Sequence, residues 1–374
     1  MYEDPMEYTM YEQNISIKSA LFLCLNLLCT TNHGAIPLTL HTLYGTFEID
    51  EPVIAELINH PAFQRLRAVR QYGPDYYFRA PLEYNRYDHS IGVFALLRRY
   101  KAPLVEQIAG LLHDASHTVF SHVGDWLYGS GDTEHSHQDL THIQFLEASG
   151  LSEVLLKYGY TCEDVHHKKD AFTALEQPLP DLCADRIEYN ISGGLLEGVL
   201  HPDDVEKILE DLHFDGNHWY FSTIERASQF AHCPLFMTEH VWSSYAGTMR
   251  NIICADFLRH ALKNSYITHD DIQYGTDDEV WQQLHEMDDA PQFLNALNHP
   301  ESCYTPCTPE EATVSCARKF RGVDPLIIQK DGSYKRLTEL NPAYRSIYEY
   351  IKKTFKTKWH LKKAKSEENA APML

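Results

Sequence analysis

Apolar residues recur at helical spacing through most of this chain and only rarely alternate. Between Pro52 and Tyr72 they fall at Val53, Ile54, Leu57, Ile58, Phe63, Leu66 and Val69, a helical rhythm that Pro61 interrupts. The pattern predicts a second helix over Ile91–Tyr100, entered through His89. A third is expected over Leu104–Ala115, with Leu104, Ile108, Leu111, Leu112 and Ala115 on its apolar side. Further helices are expected near Gln138–Glu147, Glu163–Leu175, Asp181–Ser192 and Asp203–Leu212, and a long one over Ser222–Asn264, broken near Pro234. Tyr76–Arg79 and His218–Ser222 read as short strands. The expected class is therefore mainly α. Around Pro300–Pro309 the composition shifts to Pro, Cys, Thr and Glu, which reads as a loop. The chain then divides into a leader (1–38), a main helical domain (39–265) and a smaller α(+β) C-terminal lobe (266–374) ending in a lysine-rich helix and frayed tail (Lys352, Lys353, Lys356, Lys358, Lys362, Lys363, Lys365).

Composition narrows the class. The 374 residues are 44% hydrophobic and 23% charged, as in a globular protein. The net charge of -21 argues against a nucleic-acid partner, which needs basic surface, but not against a small anionic substrate beside a metal. Nine scattered cysteines do not form a disulfide framework, and Cys303 and Cys307 lack the second pair a zinc site would need. The apolar run Ala20–Leu28 is too short to span a bilayer, so no stable membrane span is expected. A cytoplasmic location is favoured. The alternative is export through a signal peptide ending near Ala35, against which the preceding Glu3, Asp4, Glu7 and Glu12 count.

Four residues in three motifs carry candidate chemistry: His89 in NRYDHS, His113 and Asp114 in GLLHDASH, and Asp185 in LCADRIEY. Two neutral imidazoles and two carboxylates can hold one divalent metal and leave positions for water and a phosphate, which points to metal-assisted hydrolysis of a phosphate ester. Isolated His-Asp pairs usually mean nothing. Here Asp185 lies between Leu182, Ala184 and Ile187, where an unpaired carboxylate is costly, and His117 falls one turn after His113. Arg86 is placed to meet a phosphate oxygen, His117, His122 and His137 to serve as acid or base, and Asp125 to orient one of those imidazoles. His166, His167, His232, His269 and His299 have no motif around them.

These residues resemble the HD-domain phosphohydrolases, and within them the branch of the SAM-and-HD-domain dNTP triphosphohydrolase and its bacterial relatives. The resemblance runs through FQRLRAVRQYG (63–73), NRYDHSIGV (85–93), AGLLHDASHTVFSH (109–122), SHQD (136–139) and ADRIEYN (184–190). It implies an HD-type helical bundle in which His89, His113, Asp114 and Asp185 bind the metal. Arg86 then stands near the scissile phosphate, His117 and His137 are the catalytic histidines, and Asp125 partners one of them. His122 contacts the phosphates, Gln71 reads the sugar 3′-hydroxyl, and Tyr189 packs on the sugar. The cofactor expected is one divalent transition metal (Mn, Fe, Zn, Co or Ni), with Mg accompanying a nucleotide substrate. A homo-oligomer is expected from the same resemblance.

Two departures stand out. Gly193 occupies the position of a family aspartate that reads the 3′-hydroxyl. Trp242-Ser243-Ser244-Tyr245 replaces a Tyr-x-His-Lys run that grips the triphosphate, and Cys233 and Pro234 lie where an upstream arginine is expected. A site short of two cations should hold a triphosphate less firmly. The expected activity is metal-dependent hydrolysis of a nucleotide, foremost a dNTP. The alternatives are a phosphomonoesterase or phosphodiesterase on another nucleotide, and a non-hydrolysing nucleotide sensor.

Overall fold

Proline and glycine positions, caps and buried polar groups set where the elements begin and end. The structure is a computed structural model describing residues 38–79, 83–129 and 136–364. The N-terminal apolar run and Lys365 lie outside the described residues. Strands β1 (Leu38–Thr42) and β2 (Gly45–Ile49) pair as an antiparallel hairpin that the sequence pattern did not signal, with Leu40 opposite Phe47. Pro52 opens α1 (Pro52–Asn59), and Pro61 ends that run and opens α2 (Pro61–Gln64), as expected of a residue that lacks an N–H. The Asn85 side chain accepts from the Asp88 N–H at 2.9 Å and caps α3 (Arg86–Arg99). This helix starts five residues before the expected Ile91, so Arg86 and His89 lie in its first turns. It is buried on nearly every side, Ser90 through Leu97 included, which erases the periodicity that would have marked its start. Helix α4 (Leu104–Leu112) stops at His113.

Next come α5 (Val123–Leu127), α6 (His137–Ala148), α7 (Leu151–Lys157), α8 (Ala184–Leu196) and α9 (Pro202–Asp211). The helix expected over Glu163–Leu175 does not form; the segment is a series of turns. Its backbone donors go elsewhere: buried Glu106 accepts from the N–H groups of Ala174 and Leu175 at 2.8 and 2.9 Å, and Asp164 closes a turn on Thr161. The strand expected at Tyr76–Arg79 is instead the end of a 3₁₀ turn, Gly73–Tyr77, where the Tyr77 ring stacks on Trp281 at 4.1 Å.

Strands β3 (Leu212–Phe214) and β4 (Trp219–Phe221) lead into α10 (Ile224–Met237), a π-helical turn at Thr238–Trp242 and α11 (Tyr245–Lys263). The break in the long helix thus falls a few residues after Pro234, which α10 tolerates. Helices α12 (His269–Tyr274), α13 (Asp277–His285), α14 (Ala290–Asn298) and α15 (Pro300–Cys303) follow, then β5 (Tyr304–Pro306) and β6 (Val314–Cys316). The stretch expected as a loop at Pro300–Pro309 therefore contains a helical turn and a strand. Strands β7 (Leu326–Ile328) and β8 (Tyr334–Arg336) precede α16 (Leu337–Leu340), α17 (Pro342–Thr354) and β9 (Trp359–Lys363). One sheet runs β3-β4-β7-β8, with β4 and β7 parallel, and another runs β5-β9-β6. The basic end is thus no frayed tail through Lys363: β9 is the central strand of its sheet, and Leu361 is fully buried. The fold is mainly α with small sheets, as the pattern implied. Among the described residues, no helix is long and apolar enough to cross a membrane.

Candidate metal centre and active-site cavity

Three helices and one turn deliver the polar cluster. His89 comes from the first turn of α3, Asp185 from the first turn of α8, and His113 and Asp114 from the end of α4 and the turn after it. His89 Nε2 lies 3.0 Å from Asp185 Oδ1 and 3.1 Å from His113 Nε2. The three donor atoms lie within 4.8 Å of one another. Asp114 sits beside them, its Oδ2 3.5 Å from His89 Nε2 and its Oδ1 3.5 Å from His113 Nε2.

The outer ring nitrogens decide what the inner ones can do. His113 Nδ1 donates to the Gly110 carbonyl at 2.7 Å. His89 Nδ1 donates to Glu188, a residue the sequence reading missed. Glu188 also accepts from the hydroxyls of Tyr84 and Ser192, and Tyr44 is in range of it at 3.5 Å. Gly92 leaves room for it, since a Cβ there would stand 2.5 Å from Glu188 Oε1. A neutral histidine that donates from Nδ1 presents a lone pair at Nε2. Two lone pairs and a carboxylate then converge with no donor among them, an arrangement that needs positive charge at its centre. Without a cation, protons must supply that charge. Burial opposes it, but the carboxylates of Glu188, Asp185 and Asp114 raise His89 to about 10. Burial works against the ionised Asp185 carboxyl too, yet His113 and His89 hold it well below the usual range. The donor set therefore fits a divalent cation, and either charge carrier satisfies it.

The neighbouring residues extend the cluster. Arg86 pairs with Asp114 (2.6 Å) and donates from Nε to Ser121 Oγ (2.9 Å), while its Nη2 is buried without a protein partner. Gln138 holds Asp114 from the other side at 3.3 Å and donates to the His113 carbonyl at 2.8 Å. His117 Nε2 lies 3.3 Å from Asp114, and burial together with Arg86 lowers its pKa to about 4. His122 pairs with Asp125 (3.2 Å), and its ring meets that of His117 edge-on at 5.2 Å. Burial disfavours the charged Asp125, but His122 and the His137 backbone N–H (2.7 Å) keep its carboxyl below the usual range.

These residues line one cavity of about 570 Å³, within the ordinary size of a small-molecule site. Gln71 and Tyr189 line it too, with Gln71 Oε1 buried and unpartnered and Tyr189 packed edge-on against Trp242 at 5.1 Å. His137 is the expected site residue that is not brought in. Its ring stacks on Tyr128 at 4.3 Å and does not line the cavity. His167, which no motif marked, does line it, paired with Asp139 at 2.9 Å. Spacing offered a signal for Glu188, which stands three residues after Asp185 on the same helix; none pointed to His167.

The turn after α4 is held in an uncommon conformation. Phe120 and Ser121 have φ of 56° and 54°, and Gly73, itself at 54°, would place a Cβ 2.6 Å from the Phe120 carbonyl oxygen. Asp277 of α13 accepts the Phe120 and Arg70 N–H groups at 2.6 and 2.9 Å. The strain is thus borne by a buried carboxylate, and it sets Ser121 against Arg86.

No family model matches the chain. A metal-dependent phosphohydrolase of Cordyceps militaris, cns2, is 34% identical over 170 residues, covering 46% of this chain and 48% of that protein. The deoxynucleoside triphosphate triphosphohydrolase SAMHD1 of Xenopus laevis is 28% identical over 172 residues, 40% of this chain and 27% of that protein. The chain thus spans about half, or less, of the length of the curated relatives it matches. A solved phosphohydrolase of Bacteroides thetaiotaomicron superposes with a TM-score of 0.65 at 16% identity, covering 87% of this chain and all of that one, and so shares the fold. The resemblance carried by the HD motifs is therefore met by relatives described as metal-dependent phosphohydrolases and dNTP triphosphohydrolases, and by the fold of a phosphohydrolase.

Proposed function

We propose that this protein is a metal-dependent phosphohydrolase of the HD type acting on a nucleotide, foremost a (deoxy)nucleoside triphosphate. The observation that carries this reading is the convergence of His89 Nε2, His113 Nε2 and Asp185 Oδ1, with both outer imidazole nitrogens already engaged. Those three, with Asp114 beside them, would hold the ion. When bound, a divalent transition metal supplies Lewis acidity toward a phosphoryl oxygen and makes water acidic enough to act near neutral pH.

The protein's own groups do the rest. The buried, unpartnered Arg86 Nη2 takes a phosphoryl oxygen and the charge that develops on it. Asp114 and Ser121 fix that guanidinium, so it need not reorganise during reaction. His117 rests neutral in the free protein; an anionic phosphate beside it favours the imidazolium, which then delivers a proton to the leaving oxygen. Asp125 orients His122 toward the same phosphates. Tyr189 and Trp242 offer flat apolar surface for a nucleoside.

Metal analysis of the purified protein, run beside a panel of dNTPs, NTPs, monophosphates and cyclic nucleotides with Mn, Mg, Fe, Co and Ni, tests the reading. Release of inorganic triphosphate supports it. Release of single phosphate from monophosphates replaces it with a phosphomonoesterase. Ligand-raised Tm without turnover replaces it with a nucleotide sensor.

A further inference from the structure

Two turns beside the cavity meet on one carboxylate that is not part of its wall. Asp277, the first residue of α13, is fully buried. Its Oδ1 accepts the Phe120 N–H at 2.6 Å and its Oδ2 accepts the Arg70 N–H at 2.9 Å. Phe120 belongs to the turn after α4, and Arg70 directly precedes Gln71 of the cavity wall. Ser121 closes the ring. Its hydroxyl donates to the Arg70 carbonyl at 2.6 Å and accepts from Arg86 Nε at 2.9 Å. One route therefore runs from Asp277 through both turns to Ser121 and on to the guanidinium.

The neighbours of Asp277 shape the same turn. The Ile272 carbonyl accepts the Val119 N–H at 3.0 Å, and Gln273 Nε2 donates to the Ser116 carbonyl at 3.0 Å. Arg65 spans the joint, donating to the Gly275 carbonyl at 3.0 Å and to those of Ala115 and His117 at 3.0 and 2.7 Å. Residues 115–121, which carry His117 and Ser121, are thus cast against residues 272–277. Yet among the described residues α12 and α13 contribute nothing to the cavity wall. They reach the site only through the backbone of the turn they hold.

The charge at this spot does not serve the fold. A carboxylate accepts from both turns, one through each oxygen, whereas an amide would aim a donor at one of the two N–H groups. Burial raises Asp277 to about 7 against the pull of Arg70, and Asp278 adds to the rise. Arg65, Tyr77 and Cys254 are the other titratable groups that feel its charge. Because the folded value lies above the ordinary carboxylate value, the stability this group contributes is present at low pH and is lost as pH rises through about 7. Ionisation thus weakens the fold while it completes the clamp.

We infer that Asp277 is a positioning residue, which from outside the cavity locks the turns at 70–71 and 120–121 together and so fixes Arg86 for its phosphoryl oxygen before substrate arrives. This rests on the phosphohydrolase reading for the role of Arg86.

The test is orthophosphate binding, measured by calorimetry on the full-length protein as purified, at a pH where Asp277 is ionised, with metal content and Tm recorded for each variant. Asp277→Asn is expected to weaken orthophosphate about tenfold at unchanged metal content. Ser121→Ala cuts the route at its other end and should weaken it by a similar factor. The double variant should lose no more than the larger single loss, since both changes act along one path. Asp278→Asn, on the same helix but bonded to the Arg70 and Tyr77 side chains, should leave affinity unchanged. In turnover, wild-type kcat should fall as pH drops through about 7, and both Asp277→Asn and Ser121→Ala, which adds no titrating group, should lack that limb. Unchanged affinity in Asp277→Asn overturns the inference. So do losses that multiply in the double variant, an equal loss in Asp278→Asn, or a wild type that binds no orthophosphate. Should Asp277→Asn not fold, Ser121→Ala decides: a tenfold loss supports the route and unchanged affinity overturns it. If affinities fall as expected but no phosphate ester is ever hydrolysed, the hydrolase reading fails and the positioning role stands. If the wild type hydrolyses and Asp277→Asn does so at the same rate, the positioning role fails alone.

Discussion

The two sides of the cavity are built differently. On the α3–α4–α8 side three of the four cluster residues have a second tie: His89 to Glu188, His113 to Gly110, Asp114 to Arg86 and Gln138. At Gln71 and Tyr72, which also line the cavity, buried polar atoms are left unsatisfied: Gln71 Oε1 and the Tyr72 hydroxyl. The difference separates two tasks. A charge-dense centre must be fixed before substrate arrives, whereas a recognition surface must keep hydrogen-bonding capacity in reserve for the ligand. Gly193 of α8 abuts Tyr72: a Cβ there would lie 3.3 Å from the Tyr72 hydroxyl, so Tyr72 occupies space beside the position where the family resemblance implies an aspartate.

The largest effect expected comes from breaking the fixed side. His113→Ala should lose bound metal and activity together while circular dichroism shows most of the helicity intact; stoichiometric metal in that variant would mean that the donors are misassigned. Next, His117→Ala should lower kcat about 10²–10⁴-fold. His137→Ala, whose ring stacks on Tyr128 outside the cavity wall, should cost less than about tenfold by the same assay. Equal losses would show that His137 reaches the substrate.

Glu188→Gln tests whether the outer tie matters. The amide keeps the shape but weakens the hold on the His89 imidazole, so metal affinity should fall about 10–100-fold in a competition titration, with the fold retained. The smallest effect is expected on stability. Gly73→Ala places a Cβ against the Phe120 carbonyl at positive φ and should cost about 1–3 kcal/mol in denaturant unfolding. It should also lower kcat if the 120–121 turn positions Arg86 through Ser121.

Helical class, the break at Pro61 and the members of the His89–His113–Asp185 cluster were legible in the sequence, because each rests on local chemistry. A proline lacks an N–H wherever it stands, and a ligand set is a choice of side chains within linked motifs. The start of α3 was not legible, since a helix buried all round has no polar face to set its phase. The missing helix at Glu163–Leu175 was decided by Glu106, some seventy residues away, which takes the backbone donors of Ala174 and Leu175. His167 reaches the cavity wall, and Glu188 meets the outer nitrogen of His89, only because distant segments come together. The sequence by itself determined which groups are available for the chemistry. Tertiary structure decided which of them share a space, because mutual distance and the partner on each outer nitrogen are properties of packing rather than of local pattern.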